Sequence, residues 1–275
     1  MRPVTDRLVI RGARGTACAY GPDYLQVGGD TTCFSVLTAK GVLVVDAGTG
    51  ISHLARELAE SSALPSITVI FTHLHLDHLI GLPSFGPLYS RNATVTFMAD
   101  PRREENWKNA LRAFVHKPYW PIGLGDSEAL MRFEDLPVKR GLAEICGLPV
   151  RWFRATHPQQ CLAYRLELRG GPVVIATDVE YDVSTLDPRF VEFCGEARHL
   201  LYDAHYTPDE YANHRGWGHS TWETATDLAR RAGVGQLVLT HHAPTRTDKE
   251  VSAIVAAAGT RFPRTIAAHT NLVLD

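Results

Sequence analysis

The chain has 275 residues, 45% of them hydrophobic and 21% charged, with a formal net charge of only -2. That balance suits one large compact domain over 1–275 and argues against binding driven by bulk charge, so no stable nucleic-acid partner and no membrane are expected. No apolar stretch approaches the about 20 residues that span a bilayer, and the opening segment has no run of signal-peptide length. Five scattered cysteines form no Cys-x-x-Cys pair, and a cytoplasmic protein with reduced thiols is expected.

Residues 1–40 alternate in polarity and turn at glycines, which predicts antiparallel strands rather than βαβ units. The apolar run 42–45 predicts a buried strand ending at Asp46-Ala47-Gly48, and Ile51, Leu54 and Leu58 mark one face of a helix. A second buried strand is predicted at 67–71. It leads into Thr72-His73-Leu74-His75-Leu76-Asp77-His78, the densest chemistry in a chain with thirteen histidines. On extended backbone alternate side chains share a face, so His73 and His75 can grip one metal ion. Once the chain turns, the adjacent Asp77 and His78 can aim at a second ion, while Leu74 and Leu76 anchor the loop in apolar packing. Such crowding of imidazoles would be costly without a cation to hold them.

Trp107, Leu111, Phe114 and Val115 mark a second helical face. The aromatic and proline-rich segment His116-Lys117-Pro118-Tyr119-Trp120-Pro121 reads equally as a lid that stacks on a base, a packed loop or a dimer contact. Residues 150–154 alternate and end near Thr156-His157, and strands are predicted at 161–168 and 172–176, the latter ending near Asp178. Residues 200–202 end at Asp203. Ser220-Thr221-Trp222-Glu223 reads as a capping box with Ser220 as the cap, opening a helix to Arg231 that stops at Gly233. Residues 237–240 end at His241-His242, which compete for one ligand role, and a last helix is predicted over 249–258, ending at Gly259. Six apolar runs thus stop at a metal-competent residue, as expected where ligands gather beyond the carboxyl ends of strands. Mixed strands with helices on both outer faces predict an α/β fold, a four-layer α/β/β/α sandwich.

The run His73-x-His75-x-Asp77-His78, followed in order by His157, Asp178 and His241, with Asp46 at an early strand end, resembles the metallo-β-lactamase superfamily over nearly the whole chain. The resemblance implies two divalent metal ions, zinc first, with manganese or iron as alternatives. His73, His75 and His157 would hold one and Asp77, His78 and His241 the other. Asp178 would bridge them, as a carboxylate can and an imidazole cannot. True β-lactamases usually carry Cys where Asp178 stands, so a penicillin-type substrate is not expected.

The wording of Gly28-Gly29-Asp30-Thr31-Thr32-Cys33, of Asp203-Ala204-His205-Tyr206 and above all of Gly216-Trp217-Gly218-His219-Ser220-Thr221 resembles the ribonuclease Z-like phosphodiesterase branch. That resemblance implies a homodimer and a leaving-group role for His219, paired with Asp203, opposite a metal-bridging hydroxide that Asp77 also contacts. A helix amino terminus beside His219 is expected to disfavour its imidazolium, with Asp203 offsetting this only in part. Two departures from the branch stand out. Asp30 replaces a common Asn, and only two predicted strands separate His157 from Asp178, where transfer-RNA-processing members carry a long arm. A small phosphodiester substrate, cyclic nucleotides above all, is therefore expected. Arg11 and Arg14 read as parts of a glycine-flanked turn rather than phosphate contacts, and Tyr206 and Trp217 as pocket or core. The alternatives are a carbon-centred hydrolase of the glyoxalase II or lactonase kind, in which the His219–Asp203 pair has no evident purpose, and a metal-binding regulatory protein without turnover.

Overall fold

The structure, a computed structural model, describes residues 6–61, 64–102, 106–137 and 140–275. Among these, β1 (Leu8–Gly12), β2 (Cys33–Thr38), β3 (Gly41–Val45), β4 (Ile67–Ile70), β5 (Thr94–Ala99) and β6 (Leu130–Asp135) pair in chain order to form one sheet. A second sheet takes β7 (Leu142–Ile145), β8 (Leu148–Ala155), β9 (Cys161–Leu168), β10 (Gly171–Ala176), β11 (His199–Asp203), β12 (Gln236–Thr240) and β13 (Thr265–Ala267), again in chain order. The closing strand β14 (Val273–Leu274) returns to the free edge of β1. As the glycine-punctuated start predicts, β1, β2 and β3 are antiparallel. From β3 to β6 and from β10 to β13 the pairing is parallel.

Side-chain alternation then builds the layers. Leu43 and Val45 of β3 face Val173 and Ile175 of β10 in a core between the sheets. Val42 and Val44 face outward onto α1 (Ile51–Ala59) and α2 (Trp107–Phe114). Val174 and Ala176 face the other way, toward α3 (Pro188–Cys194) and α5 (Trp222–Arg231), with α6 (Asp248–Arg261) beside them and the short α4 (Pro208–Tyr211) between. Both faces of the central strands β3, β4, β11 and β12 are largely buried, which is why these parallel strands read as continuous apolar runs. The result is the expected α/β/β/α sandwich. No helix among the described residues is long and apolar enough to cross a membrane.

Two local expectations need correction. The cap of α5 is Thr221, whose hydroxyl accepts from the Thr224 amide; the Ser220 hydroxyl oxygen accepts from the Tyr181 amide at 3.1 Å instead, and its hydrogen goes to the Val179 carbonyl at 2.6 Å. The last helix starts at Asp248 behind a Thr247–Glu250 capping box and runs through Gly259 to Arg261, because Ile254, Ala258 and Phe262 bury its face in the outer core. Of the 116–121 segment, Trp120 packs against the outer core around α2, its indole N–H donating to the Tyr89 hydroxyl at 2.8 Å, whereas residues 116–119 and Pro121 are exposed. The two arginines are structural, as expected. Arg14 is fully buried and donates to the carbonyls of Gly28 and Arg246, while Arg11 pairs with Ser35 and Glu57.

Candidate metal centre

All six strand-end groups meet at one rim between the sheets. Donor atoms of His73, His75, His157 and Asp178 lie within 4.8 Å of one another, and so do those of Asp77, His78 and His241. The two groups touch through Asp178: its Oδ2 is 3.0 Å from His78 Nε2, and its Oδ1 is 3.3 Å from His241 Nε2 and 3.8 Å from His73 Nε2. The cluster takes His241 and leaves out His242, which is buried apart with its pKa pushed down to about 3 by burial.

The far nitrogens of His78, His157 and His241 are anchored. His78 Nδ1 donates to Asp46 at 2.8 Å, and Asp46 is itself held by the amide and hydroxyl of Thr72, both at 2.8 Å. His157 Nδ1 donates to the Gly218 carbonyl at 3.0 Å, and His241 Nδ1 meets the Thr32 hydroxyl at 3.1 Å. The near atoms, by contrast, have no hydrogen-bond partner although buried: His73, His78, His157 and His241 Nε2, and Asp178 Oδ2. Buried polar atoms normally find partners. Nitrogens fixed from behind and converging on one carboxylate are what a divalent cation requires.

The charges agree. Burial keeps His73 and His157 below their ordinary pKa, in the neutral form that ligates. Burial opposes a charged His78, but Asp77, Asp178 and Asp46 outweigh it and hold it well above the ordinary value. Three carboxylates around one imidazole call for positive charge, which protons or metal ions can supply. Asp77 also accepts from the Thr16 amide at 2.8 Å, and despite burial His78 holds it below the usual carboxylate range. Glycine is needed close by: a Cβ on Gly15 would lie 2.3 Å from His241 Nε2, and one on Gly218 2.2 Å from His157 Nδ1.

Beside the cluster, His219 Nδ1 donates to the fully buried Asp203 at 2.9 Å. Burial works against the His219 imidazolium, yet the charge and hydrogen bond of Asp203 raise its pKa to about 9. The sequence expectation had the opposite balance. The helix begins only at Trp222, and a full charge in hydrogen-bond contact outweighs a more distant half-charge.

His205 is a site residue that the sequence reading did not single out. Its ring stacks on His219 at 4.3 Å, its Nδ1 meets the His241 carbonyl at 3.1 Å, and its amide donates to Asp203 at 3.0 Å. Burial and the neighbouring His219 lower its pKa to about 4. The available signal was its place two residues beyond Asp203 at the end of β11. Thr16, Thr32 and Gly218 were also missed as supports; two of them act through the backbone, which leaves no residue-type signal.

A cleft of about 650 Å³ opens over these groups, with His75, Asp77, Asp178 and His219 at its floor and Trp217 and Arg246 on its walls. This volume is typical of ligand sites.

Comparison with known proteins agrees with this geometry. Residues 42–242 match the family described as beta-lactamase superfamily domain. The chain is 24% identical over 292 residues to Ribonuclease BN of Escherichia coli O7:K1 (strain IAI39 / ExPEC), covering 86% of this chain and 90% of that protein. Its fold is similar to that of the metallo-beta-lactamase fold protein YhfI from Bacillus subtilis, with TM-score 0.73, 18% identity and coverage of 98% and 99% of the two chains. It is also similar to a diphosphatase from the PhnP family, with TM-score 0.70, 16% identity and coverage of 98% and 97%. The chain belongs to the metallo-β-lactamase superfamily of metal-dependent hydrolases.

Proposed function

We propose that the protein hydrolyses small phosphodiesters, cyclic nucleotides being the first class to test, with two divalent cations held in the cluster. His73, His75 and His157 would bind one, Asp77, His78 and His241 the other, and Asp178 would lie between them. Nitrogen and oxygen donors of this kind suit zinc, with manganese or iron as alternatives. When bound, the ions supply Lewis acidity and an activated water at neutral pH. The same reading includes the homodimer, the cytoplasmic location and the lack of a nucleic-acid partner expected from the sequence.

The observation that carries this reading is the His219–Asp203 pair in the floor of the cleft. An alkoxide leaving from phosphorus is a poor leaving group and gains from a proton delivered as the ester bond breaks. His219, kept protonated by Asp203, can deliver it from Nε2 while Nδ1 stays hydrogen-bonded. A thioester or activated lactone has less use for such a donor, which ranks the carbon-centred alternative second. The names of these relatives, a ribonuclease and a diphosphatase, also concern phosphate linkages. β9 and β10 are joined through Arg169 and Gly170 alone, which leaves no place for an RNA-gripping arm and favours a small substrate.

Purified protein of measured metal content should be assayed on bis-p-nitrophenyl phosphate, on cyclic mononucleotides and dinucleotides, on a thioester and on an acyl lactone. The expected result is the highest kcat/KM for a phosphodiester, with His219→Asn slowing alkoxide-releasing substrates most. Preference for the thioester or lactone would overturn the reading, and no turnover of any substrate by metal-loaded protein would favour a regulatory role.

A further inference from the structure

Trp217 is 64% exposed on the wall of the cleft, an unusual setting for the largest apolar side chain. It is exposed but not loose. The amides of its neighbours Gly216 and Gly218 donate to the two carboxylate oxygens of Glu180, at 2.5 and 2.7 Å, and its own amide donates to the His214 carbonyl at 3.1 Å. The indole meets the His214 ring edge-on at 5.0 Å, and His214 in turn stacks on the buried Tyr206 at 4.7 Å. On the other side the Gly218 carbonyl receives His157 Nδ1. A solvent-exposed indole is thus fixed in position relative to a proposed ligand imidazole.

A rigid aromatic surface at the mouth of a polar cleft suits a planar ring, because stacking is gained at little further cost in ordering. The floor of this cleft suits a phosphate. From this we infer that Trp217 is the stacking platform for the base of a nucleotide whose phosphodiester lies over the cluster, which makes nucleoside phosphodiesters the substrate class rather than simple polyol or sugar esters. The inference rests on the phosphodiesterase reading above.

The test compares adenosine 3′,5′-cyclic phosphate with glycerol 1,3-cyclic phosphate, which has the same six-membered phosphate ring but no base to stack, in wild type, Trp217→Phe and Trp217→Ala. The ratio of kcat/KM for the nucleotide over the glycerol ester should fall on the order of 5- to 150-fold in Trp217→Ala, the range that base–aromatic stacking spans. The fall should appear mainly in KM, and Trp217→Phe should keep most of the ratio. An unchanged ratio overturns the inference, whether or not overall activity drops, because damage relayed through Gly218 to His157 would slow both substrates alike. So does wild-type preference for the glycerol ester, or a change in oligomeric state of Trp217→Ala by light scattering, which would make the indole a contact between copies. Failure of the wild type on bis-p-nitrophenyl phosphate as well would instead sink the phosphodiesterase reading itself.

Discussion

Replacing Asp203 by Asn tests how the fold and the proposed leaving-group acid, His219, are joined. The carboxylate is fully buried, and its Oδ2 accepts from His219 Nδ1 at 2.9 Å and from the Asp178 amide at 3.0 Å. Its Oδ1 accepts from the amides of His205 at 3.0 Å and Ser220 at 3.3 Å. An Asn keeps one acceptor oxygen and turns two hydrogens on the other pair of donors. Each buried donor left without a partner costs about 1–3 kcal/mol, so the loss should be roughly 2–6 kcal/mol. That is a large share of the ~5–15 kcal/mol that holds a typical domain together. The urea midpoint should therefore fall sharply, and metal content with it, since the Asp178 backbone loses its anchor. His219→Asn separates the catalytic part, because the backbone donors keep their carboxylate. It should retain metal and most stability, yet slow cyclic-nucleotide hydrolysis on the order of 10²–10⁴-fold. On bis-p-nitrophenyl phosphate, whose leaving group needs little protonation, the defect should shrink to a few-fold. An Asp203→Asn protein with the wild-type midpoint would refute the structural half, and equal slowing of both substrates by His219→Asn would refute the catalytic half.

Gly15→Ala should cut metal content and lower kcat/KM at least about tenfold, the effect of a misplaced ligand support, because its Cβ would lie 2.3 Å from His241 Nε2; wild-type values by elemental analysis and assay would contradict the close approach. Asp203 raises His219 from an ordinary 6.5 to about 9 in the folded protein, so its stabilising effect is complete below pH 6.5 and disappears as pH rises through about 9. Urea midpoints of metal-free wild type and metal-free His219→Asn should accordingly be furthest apart in mildly acid buffer and draw together in alkali; a constant gap would count against it. Removing metal with a chelator should lower Tm, and zinc, manganese or ferrous iron should restore it, by about 4 kcal/mol of stability when free metal exceeds Kd a thousandfold. Unchanged melting after verified metal removal would contradict a buried cluster built for cations.

The sequence discloses the parts of this molecule that depend on local pattern. His73, His75, Asp77 and His78 lie within six consecutive positions, so their convergence needed only alternation along extended backbone and a turn. The two-sheet core follows from runs such as Val42–Val45, which are apolar on both faces. Supports that come from afar were not legible. The Gly218 carbonyl behind His157 and the Thr16 amide on Asp77 are backbone groups that any residue could supply. The choice between Ser220 and Thr221 as cap turned on a tertiary competitor, the Tyr181 amide that donates to the Ser220 hydroxyl, because both hydroxyls cap equally well in isolation. Gly259 stands as a stop signal in sequence, but burial of Ile254 and Ala258 outweighs the about 1 kcal/mol that glycine costs inside a helix. The protonation of His219 was misjudged because its contact with Asp203 is set by packing, not by spacing.

One backbone device recurs at three of the strand ends, and it explains how donors reach the rim at all. Strict alternation would aim Asp46 the way Val44 points, Asp178 the way Val174 and Ala176 point, and His241 the way Leu237 and Leu239 point, which in each case is into the outer helix layer. Instead these residues have φ of 60°, 55° and 57°, the left-handed region that L side chains avoid. The reversal at the first turn beyond the strand swings the side chain out of the apolar layer and toward the rim between the sheets. Each such residue carries strain of about 1–3 kcal/mol that the surrounding structure must offset. Glycine takes this conformation freely. Asp178→Gly and Asp178→Ala should therefore be equally inactive and equally poor in metal, because both lack the carboxylate, while the glycine variant is the more stable of the two by about 1–2 kcal/mol. Denaturation of both proteins without metal reads that difference directly. An alanine variant as stable as the glycine one would show that the backbone at Asp178 relaxes, and that the carboxylate itself, not the strand-end turn, sets the direction of the chain.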